Sequence, residues 1–423
     1  MTRRMQLLAS DTFRSLRTRN FRLFFVGQLT SMIGTWMEMV AMTVVVLQLT
    51  DSGVALGLLT AARFGPLLVL GPWGGLVADR LDRHRLMVTT QIAFAILATL
   101  LAAVVVTDHA SMTLMYVFSG AWGLLTAIDN PSRRALVIDM VDHDDLPNAI
   151  GLNTAVMTSS RLVGPALAGL VIALTNVEWC FVANAVSYTA VIVALLRMNR
   201  SELRSSPLVE RSKGQLREGF RYTRETPELW LPLVFVAVMG TVAFNYQVTL
   251  PLLSTRDLHG SATLFTVLFA TMSVGSVTGA LTVARRRNMH MSFLVTYGMI
   301  MTAATLALCL APNVALAVVA TVPLGFASAV LISGSNTVMQ MKADPAMRGR
   351  VLALLSTVFL GSTPIGGPAV GWISENYGAR MGLGVGAIAL VAVTLWVIRR
   401  LRALAPAERP AAAPSKEPTP APA

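Results

Sequence analysis

The sequence is poor in charge, cysteine and histidine. Only 13% of its 423 residues are charged and the mean hydropathy is +0.62, whereas a soluble protein carries about 25% charged residues. This composition excludes an ordinary soluble domain. The two cysteines and five histidines are widely spread, so we predict no metal site. Cys180 and Cys309 both fall near predicted outer helix ends, and the sequence leaves open whether they pair.

Motifs of nucleotide-driven and hydrolytic proteins are also missing. The chain has no Gly-x-x-x-x-Gly-Lys-Ser/Thr loop and no His-Glu-x-x-His sequence. It also lacks a Gly-x-Ser-x-Gly elbow. We therefore predict that the protein is not an enzyme and uses no cofactor. Any work it does must draw on an ion gradient or on the gradient of its own substrate.

Long apolar runs are what the sequence has in abundance. An α-helix needs about 20 apolar residues to cross the hydrocarbon core of a bilayer, and it satisfies its own backbone hydrogen bonds there. We predict spans at 21–48, 53–76, 85–107, 112–131, 150–174, 179–198, 229–253, 262–284, 291–311, 314–336, 351–374 and 380–400. The fold class is therefore an all-α membrane protein with twelve transmembrane helices.

The basic residues sort by loop. If the N-terminus lies inside, every Lys and Arg except Arg63, Arg161, Arg256 and Arg380 falls on the inner side. This is the positive-inside asymmetry, and it suits an anionic inner leaflet. We predict a multi-pass protein of the inner or plasma membrane, with both termini cytoplasmic and lipid around it. The net charge of +12 therefore does not indicate nucleic-acid binding.

The longest polar stretch separates six spans from six. The predicted domains are an N-terminal six-helix bundle over 1–198, a cytoplasmic central loop over 199–228, a C-terminal six-helix bundle over 229–402 and a disordered tail over 403–423. Within the loop, residues 215–224 place apolar residues beside arginines. This pattern fits a helix lying in the membrane interface or a solvated linker helix, and both remain open.

The two halves resemble each other internally. Gly164-Pro165-Ala166 recurs as Gly367-Pro368-Ala369, and Thr154 recurs as Thr357, at one common separation along the chain. Two parallel six-helix repeats with a substrate site between them are typical of a transporter.

Glu38, Arg63 and Arg161 are the clearest ionisable residues at mid-depth of predicted spans, where a charge costs several kcal/mol and is a functional candidate. Glu38 and Arg63 lie at similar distances from the turn near Asp51, so antiparallel helices would bring them to one depth. We predict that Glu38 carries a proton and that Arg63 tunes its affinity; a purely structural ion pair fits equally well. Arg161 and Asp129 are further proton-coupling candidates, and Asp129 is also a gate candidate.

Polar residues at helical spacing mark candidate cavity walls on four spans. They are Gln28, Thr35, Ser119, Trp122, Thr126, Thr154, Thr158, Thr241 and Asn245. Hydrogen bonding between helices explains the uncharged stripes slightly better than substrate binding does.

The loop after span 2 carries a conformational motif made of Gly75, Asp79, Arg80, Arg83 and Arg85. Glycines let a neighbouring helix approach, and an acid at a helix end can pair with an arginine in one state and release it in another.

These residues resemble the loop 2–3 signature of the major facilitator superfamily, with Asp82 in place of its second glycine. The second-half copy, from Gly279 to Arg287, has Val283 where the acid is expected. In span 5, Gly164, Pro165 and Gly169 resemble the antiporter signature of the same superfamily, with Ala168 in place of one glycine.

Other stretches, including Gly34-Thr35-Trp36-Met37 and Asp145-Leu146-Pro147-Asn148, resemble the branch that holds enterobactin-type siderophore exporters and macrolide-type efflux pumps. The chain departs from many proton antiporters at Ser119, where they carry a span-4 arginine. The resemblance implies two six-helix bundles, alternating access and export.

We therefore predict proton-coupled efflux of a small amphiphilic drug, siderophore or secondary metabolite by a monomer. Arg63 and Arg161 outnumber Glu38, which favours an anionic or mixed substrate. Two alternatives stay open: a proton-coupled importer of a small polar metabolite, and a membrane sensor or lipid-handling protein that transports nothing.

Overall fold

The computed structural model describes residues 13–204, 215–286, 289–345 and 347–404, and twelve of its helical segments are long and apolar enough to cross a membrane. The helices of spans 1 to 12 are Arg19–Leu49, Gly53–Arg80, Arg83–Val106, Met112–Met140, Leu146–Leu174, Glu178–Leu196, Pro227–Val238 with Tyr246–Leu252, Ala262–Ala284, Met291–Cys309, Val314–Lys342, Arg348–Tyr377 and Ala379–Leu404. The described residues contain no strand, and the predicted all-α membrane fold is confirmed.

Several helices extend beyond their predicted apolar cores. Span 4 continues past residue 131 to Met140, and span 10 continues past residue 336 to Lys342. In span 4 the polar extension is stabilised from within, because Arg133 pairs with Asp129 one turn earlier. A hydropathy window finds the part of a helix that needs lipid, and it misses a polar turn that has its own partners.

Span 7 differs most from the single helix that we predicted over 229–253. It consists of Pro227–Val238, a π-helical turn Met239–Ala243, the short helix Tyr246–Leu252 and a second π-helical turn Leu253–Asp257. Asn245 lies at the break with non-helical dihedrals, and its side-chain amide donates to the Thr241 carbonyl at 2.9 Å. A side chain therefore supplies a hydrogen bond that the interrupted helix lacks.

The helices form two bundles of six. In the first, span 1 packs against spans 5 and 6, and span 4 packs against spans 2 and 3. In the second, span 10 packs against spans 8 and 9, and span 12 against spans 9 and 11. The bundles meet along span 2 with span 11 and along span 5 with span 8. Spans 2, 5, 8 and 11 thus line the seam between the halves.

Alternate loops define two ends of the molecule. We call the end that holds the first described residues and the loops after even-numbered spans the terminal face, and the other end the opposite face. On the terminal face, the helix Gln215–Glu225 packs on the second bundle. Its Glu218 accepts from Arg350 at 2.7 Å, and Tyr222 donates to Asp344 at 3.1 Å.

The central loop and tail predictions are only partly covered by the described residues. Residues 205–214 of the loop, the predicted disordered tail beyond 404, and Arg287 of the second loop motif lie outside them. The two cysteines are both free. The Cys180 thiol points to the Ala168 carbonyl and the Cys309 thiol to the Arg380 carbonyl.

Glycines allow the bundles to touch backbone to backbone near the opposite face. A Cβ on Gly57 of span 2 would lie 2.4 Å from the Gly367 carbonyl oxygen of span 11, and one on Gly371 would lie 2.2 Å from the Gly53 oxygen. Both distances are below van der Waals contact, so a larger residue would separate the helices. The repeated Gly-Pro unit of the second half therefore lies in the seam.

Candidate functional site: a buried charged cluster beside the seam

The centre of the first bundle holds a carboxylate and a guanidinium. Glu38 of span 1 and Arg63 of span 2 are each 4% exposed, and their closest oxygen and nitrogen lie 3.9 Å apart. Asn184 of span 6 donates to the other Glu38 oxygen at 2.5 Å. Glu38 and Arg63 thus lie close together, as their similar depths in the sequence predicted. Asn184 is a third partner that the sequence analysis missed.

Aromatic rings enclose this cluster. The Arg63 guanidinium lies 3.8 Å from the Trp122 ring centroid, a cation–π contact of a kind that stabilises a desolvated cation. Phe94 stacks on Tyr188 at 5.7 Å and contacts Trp122 at 6.0 Å. These rings line a small cavity together with Glu38 and Arg63. The two groups of opposite charge are therefore surrounded mainly by aromatic and apolar side chains.

A second small cavity shares Arg63 and Met42 with the first and reaches the second bundle. Its lining includes Thr60, Ser119 and Arg63 of the first bundle and Gln247 of span 7. Ser119 and Gln247 donate to the sulfur atoms of Met42 and Met39, each at 3.5 Å. Arg63 therefore lines both an aromatic cavity inside the first bundle and a small cavity with a mixed lining that reaches the second bundle.

Arg63 also stands next to the position where span 4 has no arginine. Ser119 lines the same cavity as Arg63, and a Cβ on Gly123 would lie 2.3 Å from the Arg63 carbonyl oxygen. Spans 2 and 4 are thus in backbone contact here. The positive charge of Arg63 on span 2 therefore lies close to Ser119, the position at which many proton antiporters carry an arginine.

Asp129 lies apart from this cluster. Its carboxylate accepts from Gln91 at 2.7 Å, from Thr90 at 3.0 Å and from Arg133. The residue is buried, and its charge is compensated by its own helix and by span 3. Such a saturated carboxylate is suited to holding spans 3 and 4 together.

Arg161 occupies a more open position. Its guanidinium lies 5.1 Å from the Trp36 ring centroid, and the residue is exposed. It forms no ion pair with any described residue. Thr154, one further residue of this stripe, is exposed and donates to the Ile150 carbonyl at 2.9 Å, while the Thr158 side chain lies outside the description.

The remaining stripe residues make mostly local hydrogen bonds. Thr35 bonds to the Ser31 carbonyl and to the Tyr188 hydroxyl, Thr126 to the Trp122 carbonyl, and Thr241 to the Ala237 carbonyl. Gln28 and Asn245 are buried, and each has a side-chain oxygen that accepts from no described residue. Trp122 likewise has an indole N–H without a described acceptor.

The loop motif after span 2 is partly described. Gly75 and Asp79 lie in the span-2 helix, but their side-chain surroundings are outside the description. Arg83 pairs with Asp139 at the end of span 4, at 2.8 and 3.0 Å. Arg80 and Arg85 are exposed.

Asp82, which stands where the signature has its second glycine, has a structural role. Its carboxylate accepts from the Arg85 amide at 2.6 Å and caps the first turn of span 3.

The span-5 signature faces two neighbours. A Cβ on Gly164 would lie 2.4 Å from the Trp36 Cβ of span 1, and one on Gly169 would lie 2.7 Å from the Thr266 hydroxyl of span 8. Pro165 lies within the continuous helix Leu146–Leu174. The signature thus brings span 5 close to its own bundle at one glycine and to the other bundle at the next.

Polar contacts that the sequence did not predict join the bundles at the opposite face. Glu375 of span 11 accepts from the Ser52 hydroxyl at 2.6 Å and from the Val54 amide at 2.9 Å. Arg256 of span 7 pairs with Asp51 at 3.1 Å and also donates to the Glu375 carbonyl at 3.1 Å. The sequence offers one indication of this joint, because Arg256 is one of the few arginines predicted in the outer loops.

Comparison with known proteins shows the family to which the chain belongs. A family model described as a transmembrane secretion effector matches residues 10–422. The chain belongs to that family. It is 24% identical over 359 residues to the enterobactin exporter EntS of Escherichia coli, covering 83% of this chain and 84% of the exporter. The predicted relationship to the major facilitator superfamily and to its siderophore-exporter branch is confirmed.

A second relative is the staphyloferrin A transporter of Staphylococcus aureus, 22% identical over 268 residues. That match covers 62% of this chain and 66% of the relative, slightly less than two thirds of its length. Among solved structures, a bacterial homologue of the human lysosomal transporter Spinster, inward-facing and unoccupied, superposes with a TM-score of 0.74 at 17% identity. This superposition covers 91% of this chain and 97% of the homologue. Fold and relatives are those of membrane transporters and not of enzymes.

Proposed function

We propose that the protein is a secondary active exporter that couples the outward movement of a small amphiphilic molecule to the inward movement of protons. In this proposal the two bundles tilt about their seam, and the central cavities open to one side of the membrane at a time. The contacts at the opposite face belong to the state that is closed to the exterior. The protein acts in the cell membrane as a lipid-surrounded monomer, with both termini in the cytoplasm.

The observation that carries the proposal is the arrangement of Glu38. Its carboxylate has a hydrogen bond from Asn184 and a cation at 3.9 Å that is too far for a hydrogen bond. A neutral carboxylic acid can keep the Asn184 contact, so protonation changes the charge of the site without dismantling it. Protonation also removes the negative charge beside the buried Arg63, which changes the electrostatic free energy of the site.

The charge of the central region supports an anionic or mixed amphiphile as substrate. Arg63 and Arg161 carry two positive charges against one on Glu38, while Asp129 and Arg133 compensate each other. The names of the relatives refer to staphyloferrin A and enterobactin, and the proposed substrate class includes amphiphiles of this type. The span-5 signature at Gly164, Pro165 and Gly169 supports export over import.

The test replaces Glu38 by Gln in proteoliposomes with an imposed pH gradient. Two probes of opposite charge are compared: the anionic amphiphile anilinonaphthalene sulfonate and the cation ethidium. We expect gradient-driven movement of the anionic probe by the wild type and a loss of at least about tenfold in Glu38→Gln, since an amide cannot carry the proton. Exchange of probe without a gradient should persist.

The matched control is Glu228→Gln, which makes the same chemical change at an exposed residue of span 7 and should leave transport unchanged. Full gradient-driven transport by Glu38→Gln would make the Glu38–Arg63 pair purely structural and remove it from the coupling mechanism.

A further inference from the structure

The helix Gln215–Glu225 on the terminal face presents a row of arginines without a partner among the described residues. Arg217, Arg221 and Arg224 are spaced four and three residues apart, so they lie along one side of the helix. All three are exposed, and none forms an ion pair with a described residue. Like charges on adjacent turns repel one another, so this row favours contact with several negative charges.

The other side of this helix is held against the second bundle. Gly219 and Thr223 are buried, and a Cβ on Gly219 would lie 3.0 Å from the Arg350 Cβ of span 11. Glu218, one of the two acids of the helix, accepts from Arg350 at 2.7 Å. The other acid, Glu225, forms no ion pair with a described residue. The arginine row therefore points away from the protein, and span 11 does not compensate its charge.

An aromatic contact places the helix at the level of the membrane surface. The helix ends at Glu225, and the apolar span 7 begins only two residues later at Pro227. The Phe220 ring lies 6.0 Å from the Trp230 ring in the first turn of span 7, edge to face. The Phe220 side chain is nevertheless 43% exposed, and it precedes Arg221 in the sequence. Tryptophan is enriched at the depth of the lipid headgroups, so the exposed side of the helix lies at that depth.

We propose that this side of the helix binds the headgroups of anionic phospholipids. Phe220 would enter the acyl boundary beside Trp230, and Arg217, Arg221 and Arg224 would contact the phosphates. Arginines on the polar face and an aromatic residue beside them are typical of a helix in the membrane interface, and a guanidinium pairs well with phosphate oxygens. A solvated linker helix would explain the arginines but not the exposed Phe220 next to Trp230.

Lipid binding here would position more than the helix itself. Glu218 joins the helix to Arg350 of span 11, and Tyr222 joins it to Asp344 of the preceding loop. Bound anionic lipid would therefore hold the terminal end of the second bundle at the membrane surface. The inference concerns the lipid and does not depend on the direction of transport or on its coupling ion.

The experiment uses Trp230 as a natural reporter of the lipids around the helix. The full-length protein is placed in phosphatidylcholine nanodiscs that contain a fixed fraction of brominated lipid, either phosphatidylglycerol or phosphatidylcholine. Bromine quenches tryptophan fluorescence at short range, and the difference between the wild type and Trp230→Phe isolates the Trp230 signal. One basic side chain near an anionic surface strengthens binding about fivefold. We therefore expect brominated phosphatidylglycerol to quench Trp230 at least about threefold more strongly than brominated phosphatidylcholine.

The variant Arg217→Gln/Arg221→Gln/Arg224→Gln should be quenched equally by the two lipids. The variant Arg217→Lys/Arg221→Lys/Arg224→Lys retains the positive charges and should keep most of the preference, which separates a loss of charge from a loss of folding. Arg197→Gln/Arg200→Gln is the control, because these arginines are exposed near the end of span 6 on the same face. It should keep the full preference.

Equal quenching by the two lipids in the wild type would overturn the proposal, and so would survival of the preference in the triple glutamine variant. A further arm adds millimolar sodium phosphate, with sodium chloride of equal ionic strength as its reference. The preference for phosphatidylglycerol should be the same in both salts. Its selective loss in phosphate would assign the arginine row to a soluble anion and would contradict the lipid site.

Discussion

At Glu38 the carboxylate has one close amide and one more distant cation, and the neighbouring helix makes this arrangement possible. Span 6 approaches span 1 at Gly34, where a Cβ would lie 2.4 Å from the Ser187 hydroxyl and 2.7 Å from the Asn184 side-chain oxygen. Only a residue without a side chain leaves room for Asn184 to reach Glu38. The glycine thus positions the amide that holds the carboxylate.

Gly34→Ala is therefore expected to displace Asn184 and to impair coupled transport. Inserting a methyl group into such a tight contact costs about 1–3 kcal/mol, so the melting temperature should fall as well. Gly65→Ala is the matched control, because a Cβ there has nothing within 4 Å. Thermal unfolding in detergent and transport in proteoliposomes measure both effects. Equal behaviour of the two variants would contradict the packing argument.

Part of this site could be predicted from sequence at the residue scale. Glu38 and Arg63 stand out because ionisable residues are rare in apolar spans, and their depths follow from the turn between them. Asn184 and Tyr188 lie four residues apart on span 6 and follow the same stripe rule, but an uncharged pair in one span does not stand out. The four-residue spacing of Asp129 and Arg133 is a sequence signal for local pairing on a helix, but the predicted end of span 4 at residue 131 left Arg133 outside the helix.

Span 2 is the element on which both halves of the mechanism depend. One side of it carries Arg63 into the charged cluster, and its glycines let span 11 approach at Gly57 and Gly53. Helix contacts through small residues allow close backbone approach, and they also allow two helices to separate without leaving interlocked side chains behind. This surface suits a contact that must form and break in each cycle.

Gly57→Ala should weaken the closed state of the opposite face. Its Cβ would lie 2.4 Å from the Gly367 oxygen and 2.6 Å from the Pro368 Cα, and backbone atoms cannot rotate away. With both native cysteines replaced and Thr60 changed to Cys, labelling by an impermeant maleimide from the exterior should accelerate severalfold. Gly71→Ala on the same helix meets nothing within 4 Å and should label at the parental rate. Unchanged labelling in Gly57→Ala would show that the seam tolerates the methyl group.

At the element scale the sequence predicts well where hydropathy decides and poorly where backbone chemistry does. All twelve spans are found because each must be apolar to lie in lipid. The broken span 7 is missed, because Asn245 and the π-helical turn at Met239–Ala243 leave the mean hydropathy of the segment intact. The repeat of Gly-Pro in spans 5 and 11 places both copies in helices that line the seam, but Gly367 faces span 2 of the other bundle while Gly164 faces span 1 of its own.

At the opposite face, polar contacts join spans 7 and 11 of the second bundle to the start of span 2 and the loop before it. The Glu375 carboxylate caps the N-terminus of span 2 from the other bundle, since it accepts from Ser52 and the Val54 amide. Arg256 ties span 7 to Asp51 and to the Glu375 carbonyl. All these partners must separate if the bundles tilt the other way. The contacts therefore contribute to the equilibrium between the two states.

Loss of the cap should shift that equilibrium, so that the bundles move apart at the opposite face and move together at the terminal face. Hydrogen bonds to a charged group contribute about 1.5–3 kcal/mol, and about 1.4 kcal/mol corresponds to a tenfold change in population. In Glu375→Gln, spin labels at the exposed positions His109 and Ala315 on the opposite face should move apart. Labels at Thr89 and Lys342 on the terminal face should approach each other.

The double variant Glu375→Gln/Arg256→Gln should add little to the stronger single variant, because Arg256 and Glu375 act on the same joint and neighbouring substitutions are not additive. Asp344→Asn is the control, since the Asp344 carboxylate accepts from Tyr222 of the helix Gln215–Glu225 on the terminal face, away from this joint. Electron paramagnetic resonance distance distributions are measured for the parent protein, both single variants, the double variant and the control. A widening at the opposite face with no change at the terminal face would mean that the bundles flex locally, and the rigid tilting of two halves about a common seam would then be wrong.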